Sequence, residues 1–153
     1  MDFSGLQLAV PPEFEKAEAS LTLVAPVPDF AAPMMNRQLP IQPNLIAHRR
    51  TLQHPQPLDA IVKQTEFDLR QSFGDLENIK IADFVFGDNP QGSLLSFNFP
   101  DRKGITIAQL IAFRLDDDVL TTLTLTFNAR GAADPQRAAH LETLAKTRVE
   151  NKL

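Results

Sequence analysis

The sequence predicts an α+β domain, a curved antiparallel sheet with two helices packed on it. Three observations carry that expectation. The apolar pattern gives three strands, a helix, four strands and a helix, so strands and helices segregate instead of alternating as parallel βαβ units do. The links between the last four strands, "GDNPQG", "PDRKG" and "DDD", are short and rich in turn formers, as hairpin connections are. Nine of the twelve prolines lie in the first 57 residues, which disfavours helices there and suits short extended pieces.

Taken in order, "GLQLAV" alternates and reads as a strand stopped by Pro11-Pro12. "ASLTLVAP" reads as the next, stopped by Pro26 and Pro28. The following "DFAAPMMNRQLPIQP" is irregular and apolar for a loop, and "NLIAHRR" is a third strand. Pro57 then opens a helix, because proline is tolerated in a first turn. Leu58, Ile61, Val62, Thr65, Leu69 and Phe73 form its amphipathic stripe, and Gly74 ends it. Four strands follow, "NIKIADFVF", "GSLLSFNF", "ITIAQLIAFRL" and "VLTTLTLTFNA", in the arrangement of an antiparallel meander. Asp134-Pro135 starts the last helix, with Ala138, Leu141, Ala145 and Val149 as its packed side.

Residues 1–153 read as a single domain, long enough to bury about two-thirds of the unfolded surface. The net charge of −4, with His48-Arg49-Arg50 as the single basic cluster, argues against a nucleic-acid partner. The absence of cysteine excludes disulfides and thiolate metal sites. No run of apolar residues approaches the length of a membrane span, and "MDFSGLQLAVPPEF" lacks the basic start and apolar core of a secretory leader. The expectation is a cytoplasmic protein with no membrane anchor of its own.

Catalysis needs a nucleophile, a base and orienting groups that converge. The sequence offers poor material for that. His48 and His54 are separated by a spacing that fits no common metal motif. His140 reads as part of a solvated helix face beside Glu142 and Lys146. Asp116-Asp117-Asp118 reads as an acidic hairpin turn, since it lacks the spaced ligands of a calcium loop. No serine sits in a nucleophile elbow, and no Gly-rich loop joins a strand to a helix. The expectation is a non-enzyme without metal or cofactor; a small hydrolase or lipid-binding enzyme using His48 or His140 is the weak rival.

Surplus apolar surface is the stronger signal. In "ITIAQLIAF", Ile105, Ile107, Ile111 and Phe113 point to one face and Ala108, Leu110 and Ala112 to the other, so both faces are oily. Leu123, Leu125 and Phe127 alternate with threonines, and Leu21 and Leu23 alternate with Thr22 and Val24. The two helices are expected to cover one sheet face only, which leaves the other as a concave, weakly polar, partly oily floor. Either the Pro-rich segment and a dimer partner cover it, or it binds an apolar guest. Gln109 among isoleucines needs a partner, on a guest or on a neighbouring strand or helix. Phe67, on the outer side of its helix, adds to the surplus and points to a homodimer.

"FSGLQLAVPPEFEKAEASLTLVAP", then "NLIAHRRTL", the amphipathic helix after "QPLDAIVKQ" and the glutamine of "ITIAQLIAF" follow one another in a telling order. In that order and spacing the chain resembles the DcrB-like family. It departs from the family at Phe14, where many members carry tryptophan, and in the Pro-rich insertion from Pro26 to Pro43. The resemblance implies a PsbP-like fold. Members with a lipoprotein leader are envelope proteins with a binding or structural role. Leaderless ones resemble the Eag chaperones of type VI secretion, cytoplasmic dimers that hold the N-terminal transmembrane helices of effectors before export. Carried over, the resemblance places the alternating apolar pair on Leu21 and Leu23, the strand glutamine on Gln109 and the helix glutamine on Gln64. The expected client groove combines these with Ile107 and Ile111, with Gln109 as its polar anchor.

Overall fold

The computed structural model describes residues 2–3, 6–7, 18–24, 43–88, 90–100, 106–129 and 135–150. Two short strands, β1 (Asp2–Phe3) and β2 (Leu6–Gln7), pair only with each other. The main sheet contains β3 (Glu18–Val24), β4 (Asn44–Thr51), β5 (Glu77–Asp83), β6 (Gly92–Pro100), β7 (Thr106–Asp116) and β8 (Val119–Ala129). Its order is β3-β4-β8-β7-β6-β5, and every neighbouring pair is antiparallel. The expected meander is therefore present as β5 to β8, with the antiparallel pair β3 and β4 added beside β8. The first expected strand does not join this sheet at Leu6–Gln7. The rest of it, the Pro-rich stretch 26–42 and Ile105 lie outside the described residues.

Helix α1 (Leu58–Phe73) buries Ile61 and Val62 of the predicted stripe, with Leu58, Thr65 and Leu69 half-buried, whereas Phe73 stays half exposed and stacks on Phe99. The Pro57 carbonyl accepts from the Ala60 and Ile61 amides at 3.1 and 3.3 Å, so proline caps the start without needing to donate. At the other end Gly74 turns at φ 71° while its amide donates to the Arg70 carbonyl. Helix α2 (Pro135–Ala145) follows β8. The strand expected over "NIKIADFVF" is shorter than predicted. β5 ends at Asp83, which frees Phe84 and Phe86 to turn into the core that contains Leu144 of α2.

Register and strand alternation assign every side chain to a face. One face carries Leu95, Phe97, Ile111, Phe113 and Leu120, packed with Ile61 and Val62 of α1. The opposite face carries Leu94, Ala108, Leu110, Ala112, Leu123 and Phe127, packed with Leu144 and Leu141 of α2. The two helices thus cover opposite faces, contrary to the expectation that both share one. This explains the doubly oily β7: each of its faces lies beneath a helix. Ala108 and Ala112, both fully buried, present little bulk on the α2 side, where the core also takes in Phe86 and Phe127.

Candidate functional site

The helices leave the β3 side of the sheet open. Leu21 aligns with Ala47 and Leu23 with Leu45 across β3 and β4; Ala47 then aligns with Leu123 and Leu45 with Leu125 across β4 and β8. All six side chains point to the α2 face. They form a graded strip. Leu123 is 4% exposed, Leu125, Leu45 and Ala47 are half-buried, and Leu21 and Leu23 are 56% and 51% exposed. Three strands at about 4.8 Å spacing give a width close to the roughly 10 Å of a helix with its side chains. Burying the remaining half of each exposed leucine is worth about 1 kcal/mol.

The strip carries no ionisable side chain in these two rows. One row further along the same face, Arg49 donates from Nε to the Thr121 hydroxyl at 3.1 Å. The other face of the same strands is mixed, with Val24 and Ile46 among Ser20, Thr22 and Asn44. There His48 Nε2 lies 2.8 Å from a Glu18 carboxylate oxygen, and Thr122, Thr124 and Thr126 follow one another along β8.

The residues expected to share one groove divide between the two faces. Leu21 and Leu23 are on the α2 side; Ile107, Gln109 and Ile111 are on the α1 side, opposite Asn128, Thr126 and Thr124. Ile107 and Ile111 are buried. The Gln109 amide donates from Nε2 to Thr126 Oγ1 at 2.9 Å, so its partner is a neighbouring strand. Gln64 is exposed on α1 and donates from Nε2 to Asp68 at 2.8 Å, one turn along its own helix. A groove of one chain with all six residues on one surface is therefore corrected. The physical reason is the two-residue period of β7 against the register of β3, which sets odd positions of the two strands on opposite faces.

The chemistry-bearing residues are engaged structurally. Asp117-Asp118 form the β7–β8 turn, and Asp117 has φ 52°. Asp116 takes two bonds from Arg114, to Nε at 2.7 Å and Nη2 at 3.0 Å. Arg114 is a buried residue that the sequence reading passed over. Its Nη1 also donates to the Phe86 carbonyl at 3.0 Å and its Nη2 to Asp88 at 3.0 Å, which ties the loop after β5 to β7. An arginine within an oily strand, followed two places later by aspartate on the same face, was the available signal. The Asp116 hydrogen bond holds the Arg114 pKa above its ordinary value against the opposing effect of burial. His140 is packed as well as partly solvated, its ring centroid 4.7 Å from that of Phe127. Among the described residues no three His, Cys, Asp or Glu side chains gather in a metal-holding group.

No protein-family model and no curated protein matches the chain. Among solved structures, the chain is similar to PA94 of Pseudomonas aeruginosa, a protein of unknown function described as a candidate regulator. The TM-score is 0.65 at 13% identity, over 100% of this chain and 96% of that one. At that identity the likeness establishes a shared fold.

Proposed function

We propose that the chain is a chaperone that binds and shields the N-terminal transmembrane helices of a type VI secretion effector before export. The observation that carries this reading is the open apolar strip, with Leu21 and Leu23 more than half exposed and Leu45, Ala47 and Leu125 behind them. An apolar helix in water needs a dry surface of about its own width, and helix-in-groove packing supplies that without a deep pocket. The resemblance to the DcrB-like family and its Eag chaperones supports the choice of client, and with it a PsbP-like variant of the α+β fold. The same reading makes the protein a cytoplasmic homodimer with no cofactor and no catalytic role. Among the described residues no helix is long and apolar enough to cross a membrane.

The proposed groove keeps Leu21 and Leu23 and adds Leu45 and Leu125. Ile107, Gln109, Ile111 and Gln64 support the sheet and α1 instead. The test is co-expression with the N-terminal region of a candidate effector, followed by co-purification. Retention of the apolar helices by the intact chain is the expected result. Failure to retain any effector region with apolar N-terminal helices, while retaining fully water-soluble proteins, would overturn the reading.

A further inference from the structure

The two edges of the sheet are built differently. At the β5 edge the register breaks between Glu77 and Lys80, Asn78 adopts φ 53°, and Glu77, Lys80 and Asp83 place charges along the strand. Bulges and charges are the usual means by which a sheet edge resists pairing with another chain. The β3 edge has no bulge and a single charge at one end. Its seven residues, "EASLTLV", pair with β4 in unbroken register and carry one charge, Glu18, which His48 engages. Among the described residues nothing pairs with its outer side. An unpaired, largely apolar run of this length leaves a row of backbone donors and acceptors open to a further strand.

The side-chain pattern selects which strand fits. Leu21 is the midpoint of Glu18–Val24. A second β3 laid antiparallel about that midpoint uses all seven residues. It sets Leu21 opposite Leu21, Ala19 opposite Leu23, and Ser20 opposite Thr22, so apolar meets apolar and polar meets polar. Glu18 falls opposite Val24, which keeps the two carboxylates at opposite ends of the pair. Shifting the register by one residue would set each leucine against a threonine, a serine or Glu18 and would turn the copies' leucine faces to opposite sides.

We propose that two copies of the chain associate through antiparallel β3–β3 pairing about Leu21, joining their sheets into one of twelve strands. Directly opposed residues point to the same side of a sheet, so Leu21 and Leu23 of both copies meet on one face. The two apolar strips become one strip of double width. Its use by a client rests on the function proposed above; the pairing itself does not.

The chain has no cysteine, so single substitutions report cleanly. Directly opposed residues of antiparallel strands have Cα atoms about 4.5–5.5 Å apart, within reach of a disulfide. Under mild oxidation of the purified full chain, Leu21→Cys is expected to form a covalent dimer. Phe67→Cys on the outer side of α1 and Ile81→Cys on the β5 edge are expected to remain single chains. Light scattering of the unaltered chain is expected to give twice the chain mass. Leu21→Lys, which opposes two ammonium groups, should weaken the dimer at least tenfold with an unchanged circular dichroism spectrum. A chain that stays monomeric to about 100 μM would overturn the proposal. So would crosslinking through Phe67→Cys equal to that through Leu21→Cys, or a monomer whose β3 amides are protected from exchange by the chain's own Pro-rich segment. Crosslinking through Leu21→Cys together with an unaltered chain that retains no client supports the pairing and counts against the client reading alone.

Discussion

Gln109 and Thr126 stand directly opposite each other on β7 and β8, and the glutamine amide donates to the threonine hydroxyl at 2.9 Å on the face away from Leu21 and Leu23. Thr126 is 8% exposed, so the bond is largely withdrawn from water. Gln109→Ala is expected to destabilise the fold by about 1 kcal/mol and to leave client retention unchanged. Denaturant unfolding and pull-down of the same variant check the two halves. Lost retention at unchanged stability would return Gln109 to the groove.

Arg114 is expected to be among the most sensitive positions for stability. Its side chain is 3% exposed and holds Asp116, Asp88 and the Phe86 carbonyl together. Arg114→Ala strands a partly buried carboxylate and a carbonyl, and should destabilise by about 3 kcal/mol. Arg114→Lys supplies the charge without the planar fork and should recover only part of that loss. Urea unfolding of both variants measures the difference.

The acid limb of stability should contain a small contribution from Asp88. The Arg114 hydrogen bond, followed by a bond to Asp88's own backbone amide and the Arg114 charge, holds its carboxyl below the ordinary 3.8. A carboxyl lowered by folding adds stability that is present above the unfolded value and lost as pH falls through the folded one. The loss therefore begins near pH 4 and continues below it. Asp88 is solvent-exposed, so salt should shrink the effect. Thermal melts of Asp88→Asn from pH 5 to pH 2 should show a flatter acid limb at low salt, with little change at high salt.

Two glycines with nearly the same φ should respond differently to alanine. Gly74 and Gly87 have φ 71° and 70°, where any Cβ is strained. A Cβ on Gly74 meets nothing within 4 Å, whereas one on Gly87 would run into the Arg114 guanidinium and sit 3.4 Å from the Thr147 carbonyl. Gly74→Ala is expected to cost about 1 kcal/mol. Gly87→Ala should cost clearly more, because it also displaces the Arg114 network. Equal melting temperatures for the two variants would contradict this.

Much of the fold could be read from local pattern. The buried part of the α1 stripe, the helix's Pro57 and Gly74 boundaries, and the Asp117-Asp118 turn between β7 and β8 are set by neighbouring residues, and they appear where expected. The side on which α2 packs is different. β7 is oily on both faces, so nothing local in it favours one helix placement over the other. That one non-local arrangement redirected the site, because α1 covers the face of Ile111 while α2 covers the other. Leu21 and Leu23 were legible from alternation alone. Leu45 and Leu125 became partners only once the β3-β4-β8 register was known. Arg114 escaped notice because its partners Phe86 and Asp88 lie well before it in sequence.

The most direct measurement of the central claim is client co-purification with Leu21 and Leu23 both replaced by glutamine, alongside circular dichroism and a thermal melt. Both side chains are more than half exposed, so the variant should keep its fold and melt near the unaltered chain. Facing an apolar helix, two amides without partners cost about 1–3 kcal/mol each, enough to reduce retention by more than tenfold. A folded variant that still holds the effector's N-terminal helices as tightly as the unaltered chain would contradict the account.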